Sequence, residues 1–110
     1  MGFSRKKSDW EFFEGEIAGG SSQDFDSIPF SELKTRLFVV HVESEAGDLF
    51  RSEQILAQRS DSDVRDVSHS KIGDNLQVSI QYLKSGSDAF LRVTNSESFL
   101  VSVSIQRLKM

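Results

Sequence analysis

A chain of 110 residues, 37 % hydrophobic and 27 % charged, can build one hydrophobic core but has no room for two. It has no cysteine, which removes disulfides, thiolate metal sites and cysteine nucleophiles together. The net charge of −4 conceals a more acidic body, because residues 8 to 106 hold eight Lys and Arg against all seventeen Asp and Glu; such a body repels phosphate backbones and argues against nucleic-acid partners.

Residues 1–9, with Arg5, Lys6 and Lys7, read as a flexible basic tail ahead of a single domain over residues 10–110. No apolar run follows the basic residues, since Trp10-Glu11-Phe12-Phe13-Glu14 is broken by acids. The expectation is therefore no signal peptide and a cytoplasmic protein, with secretion as the alternative for a chain that has lost a leader. No apolar stretch is long enough to predict a transmembrane helix.

From Trp10 to Ala18 the chain is aromatic and β-rich, with Trp10 and Phe12 on one face and Phe13 and Ile17 on the other. Gly19-Gly20-Ser21-Ser22 reads as a loop. After Pro29, Ser31 to Lys34 has the composition of one helical turn with Ser31 as N-cap. Thr35 to Glu43 predicts a strand that is apolar on both faces through Leu37-Phe38-Val39-Val40, hence central in its sheet.

Beyond that strand, His41, Glu43 and Glu45 fall on one face if extended geometry persists to Glu45. One imidazole and two carboxylates are a donor set for a divalent metal, against the simpler reading of a strand turning polar as it meets solvent. Asp48 to Arg59 mixes helical propensity with strand character and is read as strand. Residues 60–74, rich in Ser and Asp, read as loop with a short strand near Val64 to Val67.

The clearest pattern is the last third. Leu76, Val78, Ile80 and Tyr82 alternate with polar residues, Ser85-Gly86-Ser87-Asp88 turns the chain, and Ala89 to Thr94 returns. Asn95-Ser96-Glu97-Ser98 turns it again before Phe99, Val101, Val103 and Ile105 line one face of a further strand. Short connections predict an antiparallel meander from Asn75 to Arg107. The fold class is all-β: an antiparallel sandwich or barrel of about six to eight strands, with at most one or two short helices.

No motif names an activity. Serine is abundant at nineteen residues, so the three Ser-x-x-Lys matches at Ser4, Ser31 and Ser68 carry little weight, and their companion motifs are missing. Gly-x-Ser-x-Gly elbows and glycine-rich phosphate loops are absent from the sequence, as is the spacing of a helix–loop–helix calcium site. No cofactor is expected, and the chain reads as a non-enzyme. The favoured reading is an interaction module for a protein partner or for a second copy, a homodimer. The alternative is a carbohydrate-binding sandwich, with the His41/Glu43/Glu45 metal site as the more remote one. The candidate ligand surface comprises Trp10 and Phe12 near the N-terminus, with Gln77, Gln81, Leu83 and Leu91 on the outer side of the meander.

Overall fold

A computed structural model describes residues 10–108; the basic tail expected over residues 1–9 lies outside them. The described chain forms eight strands: β1 (Trp10–Ile17), β2 (Ser22–Pro29), β3 (Thr35–Ser44), β4 (Phe50–Ser60), β5 (Asp63–Gly73), β6 (Val78–Ser85), β7 (Asp88–Asn95) and β8 (Val101–Leu108). One 3₁₀ turn, Phe30–Glu32, follows Pro29 where a helical turn was expected. All strand pairs are antiparallel, in a five-stranded sheet ordered β1-β8-β3-β4-β5 and a three-stranded sheet ordered β2-β7-β6. The two sheets pack as a sandwich, as the all-β pattern predicted. Among the described residues no helix is long and apolar enough to cross a membrane.

Alternation explains the core. On β3, Phe38, Val40 and Val42 point inward and are fully buried, and on β8, Val101, Val103 and Ile105 do the same. Val78 and Tyr82 of β6 and Leu91 and Val93 of β7 meet them from the three-stranded sheet. Phe38 and Tyr82 touch across the interface, with ring centroids 5.7 Å apart. β3 is the central strand of its sheet, paired with β4 and β8, as its two-faced apolar run implied.

Two expectations are corrected. The last third is not a meander: β6 and β7 form a hairpin, but β8 leaves them, changes sheets and inserts between β1 and β3. Alternation fixes which residues of β8 face the core, and either sheet satisfies it. The crossing is held by Asn95, fully buried, whose Nδ2 donates to the carbonyls of Ile17 (2.9 Å) and Phe99 (2.7 Å) while its Oδ1 accepts from the Glu97 N–H (2.9 Å).

The second correction concerns residues 60–74, where a loop with a short strand near Val64 to Val67 was expected and the long edge strand β5, Asp63–Gly73, is found. Ten of its eleven residues are exposed, and its one link to the opposite sheet among the hydrogen bonds of the described residues is from the Tyr82 N–H to Asp66 Oδ2 (2.8 Å). A strand wet on both faces has no hydrophobic period to read, and its pairing with β4 comes from the backbone ladder. The ladder slips once, between the partners Gln54↔His69 and Ser52↔Ile72. Ser70, inside the slip, takes φ 55; just past it Gly73, paired with Arg51, takes φ +110 with Phe50 O standing where a Cβ would go, so that position requires glycine.

Charged groups inside the sandwich meet opposite charges, while Tyr82 Oη and Arg51 Nε are buried without a hydrogen-bond partner. Arg51 of β4 donates to the carbonyls of Leu76 (2.6 Å) and Val78 on the opposite sheet, and to Glu53 Oε1 (2.9 Å). Ser68 donates to the second oxygen of Glu53. At the other end Asp26 is shared by Arg36 and Arg107.

Candidate functional site

Because residues paired across antiparallel strands point to the same side, the register maps the outer face of the five-stranded sheet directly. One row runs across all five strands: Trp10, Leu108, Leu37, Leu56 and Val67. The next is Phe12, Gln106, Val39, Gln54 and His69, and the third is Glu14, Ser104, His41, Ser52 and, past the bulge, Ile72. Glu16, Ser102, Glu43 and Phe50 close the face. Apolar and aromatic side chains thus interleave with amides, hydroxyls, imidazoles and carboxylates.

The exposure pattern singles this face out. Four large hydrophobic side chains stand exposed among the described residues, Phe12 (49 %), Phe50 (42 %), Val67 (53 %) and Ile72 (69 %), and all four lie on it. Scattered exposed apolar groups are ordinary on a small protein; their collection on one face is not. His41 sits in the middle, its ring stacked on Phe50 with centroids 6.0 Å apart and its Nδ1 2.9 Å from Ser52 Oγ.

That His41–Ser52 spacing is the spacing of a base and a nucleophile, but the surroundings do not extend it. Among the described residues no carboxylate bonds to His41, and the cavity beside Ser52, between Phe50 and Ile72, is about 120 Å³. That is well below the few hundred Å³ of typical substrate pockets. Catalysis also needs a third group to orient the base and donors for a developing charge.

The residues expected to form sites are distributed as follows. His41 and Glu43 share the outer face, but β3 ends at Ser44, and Glu45 lies in the turn with its N–H bonded to Leu100 O at 3.0 Å. Among the described residues no three His, Cys, Asp or Glu groups come together to hold a metal, so the His41/Glu43/Glu45 triad is not assembled. Trp10 and Phe12 lie together on β1, as the alternation predicted. Gln81 and Leu83 face outward from the other sheet, across the thickness of the sandwich, and Gln77 precedes β6 with its N–H on Glu97. Leu91 is corrected from surface to core: it is fully buried and registers with Tyr82 on the inner side. The expected surface therefore splits into two faces and one core residue.

Sequence reasoning missed Phe50, Val67 and Ile72. The only signal for them is indirect: apolar residues set in polar surroundings beside Asp48 and Gly73, which composition alone assigns to loops.

No family profile matches the chain, and no curated protein matches it. Solved structures do. The tailspike protein of Acinetobacter phage vB_ApiP_P1 aligns with 94 % of this chain and 22 % of its own, at a TM-score of 0.60 and 15 % identity. The tailspike protein of Acinetobacter baumannii phage AM24 aligns at 0.43 and 9 %, covering 92 % of this chain and 26 % of its own. The tailspike protein gp49 of Acinetobacter baumannii bacteriophage Fri1, a capsular polysaccharide depolymerase, aligns at 0.44 and 14 %, covering 99 % and 19 %. This chain thus spans about a fifth of the first tailspike's length, and its likeness to that portion is one of fold.

Proposed function

We propose that this chain is a non-enzymatic recognition module that binds carbohydrate across the outer face of its five-stranded sheet. The observation that carries the reading is the gathering of Phe12, Phe50, Val67 and Ile72 on that one face, among Gln54, Gln106, Ser52, Ser104 and Glu14. Sugar rings present apolar C–H faces edged with hydroxyls. Aromatic rings take the first and amide, hydroxyl and carboxylate groups the second. The fold-level likeness to part of a phage tailspike protein supports a role as one module among others in a longer chain.

Trp10 is the only tryptophan and lies in the outermost row, so its fluorescence reports directly on the face. A panel of neutral and acidic polysaccharides should include one that shifts the Trp10 emission. Phe12→Ala and Phe50→Ala should then each weaken binding about two- to tenfold, the range of a stacking contact worth ~0.5–1.5 kcal/mol. A spectrum unmoved across the whole panel would count against the proposal.

One observation favours a second reading. The row Trp10–Leu108–Leu37–Leu56–Val67 is apolar from edge to edge and would equally suit a protein partner or a second copy. Light scattering tests the second-copy version, since self-docking gives concentration-dependent mass and a sugar face does not.

A further inference from the structure

At one end of the sandwich two cations lie over one aromatic ring, that of Phe30. The Arg59 guanidinium carbon is 4.7 Å and Lys84 Nζ 5.0 Å from the centroid of the Phe30 ring. Arg59 is steadied by a bond from its Nη1 to Ser31 O (3.3 Å), and its N–H meets Lys34 O (3.1 Å). The ion pairs of the described residues engage Arg36, Arg51, Arg92 and Arg107; Lys34, Arg59 and Lys84 are in none of them. Arg65 and Lys71 are likewise in none of them, but it is Lys34, Arg59 and Lys84 that line the grooves at this end.

Two grooves meet there and share Ser62. The smaller, about 340 Å³, is lined by Phe30, Lys84, Ser31 and Ser87, and the larger, about 780 Å³, by Lys34, Arg59, Gln58 and Asp61. Glu32 and Asp88, close in the chain, line neither groove.

Resting on the carbohydrate reading above, we infer that this end is a second binding site, selective for a carboxylate-bearing sugar unit such as a uronate. Two cations stand within 5.0 Å of the centre of one aromatic ring, and an incoming carboxylate would engage them through charge-assisted hydrogen bonds. The hydroxyls of Ser31, Ser62 and Ser87, with the amide of Gln58, supply partners for sugar hydroxyls. A bare phosphate is less well served. It favours convergent backbone N–H groups, and the Phe30 N–H is already taken by Ser87 O at 2.6 Å. Asp61 lines only the larger groove and repels a carboxylate there, which favours the smaller groove beside Phe30.

The test is calorimetric titration of the whole chain at low salt with an oligogalacturonate, a neutral malto-oligosaccharide and inorganic phosphate. The uronate oligomer should bind. Lys84→Ala and Arg59→Ala, both exposed positions whose replacement leaves the core intact, should each weaken it about tenfold, while Lys84→Arg should restore it. Affinity should fall as salt is added. The inference is overturned if the uronate does not bind, if the alanine variants bind it as the parent does, or if phosphate displaces it at matched concentration. Trp10→Ala separates this site from the outer-face reading. Loss of neutral-sugar binding in that variant, with uronate binding intact, supports both; uronate binding lost in Trp10→Ala but kept in Lys84→Ala overturns the second site alone.

Discussion

Buried polar side chains carry much of the specificity at the residue scale, and Asn95 and Tyr82 do so in different ways. Asn95 ties the end of β1 to the segment entering β8 through three hydrogen bonds. In the sequence it is legible only as a turn residue, because one partner, Ile17, lies 78 positions away. Tyr82 is the chain's single tyrosine, buried beside Phe38. Burial pushes its phenol up to about 12, with the nearby Asp26 carboxylate adding to the effect and Arg36 and Arg107 opposing it. An alkaline absorbance titration should therefore show one phenolate transition near pH 12 in the folded protein, against about 10 for an unfolded chain. Below pH 10 both states keep the proton and the group does not alter stability with pH; between 10 and 12 only the unfolded chain releases it, so stability falls as pH rises. A transition at the ordinary value would place Tyr82 in water.

Elements were legible in proportion to how one-sided their burial is. β3, β6 and β8 announce themselves by alternation or by a run of apolar residues, and their inward faces are those the pattern implied. β5 escaped because neither face is covered. β8 was assigned to the wrong neighbours because the five residues from Ser96 to Leu100 serve a hairpin loop and a crossing between sheets equally well. What joins the sheets is more specific than shape: Arg51 reaches from β4 to the carbonyls of Leu76 and Val78 and neutralises Glu53. Arg51→Met should cost about 3–5 kcal/mol in denaturant unfolding, since it strands a buried carboxylate and two carbonyls. Arg51→Met with Glu53→Leu should recover part of that loss, because the uncompensated charge is gone while the carbonyls stay unpaired. A single variant as stable as the parent would show that the pair is not a tie between the sheets.

For the molecule as a whole, the sheet sizes decide where function can sit. Five strands face three, so the larger sheet presents a broad outer surface and a bare edge. The aromatic half of this surface was legible, because period-two spacing puts Trp10 and Phe12 together whatever the topology. The rest was not. Phe50 joins them through the β3–β4 pairing and Ile72 through the β4–β5 pairing, and the outward residues of β6 belong to the opposite face. The proposed carbohydrate face thus depends on register, which no local pattern specifies. It is tested most directly by amide-resolved NMR titration with the best-binding saccharide of the fluorescence panel. The account predicts shifts concentrated at Phe12, Val39, His41, Phe50 and Gln106 on the outer face of the five-stranded sheet. Shifts centred on Gln81, Leu83 and Arg92 across the sandwich, with that face silent, would contradict it.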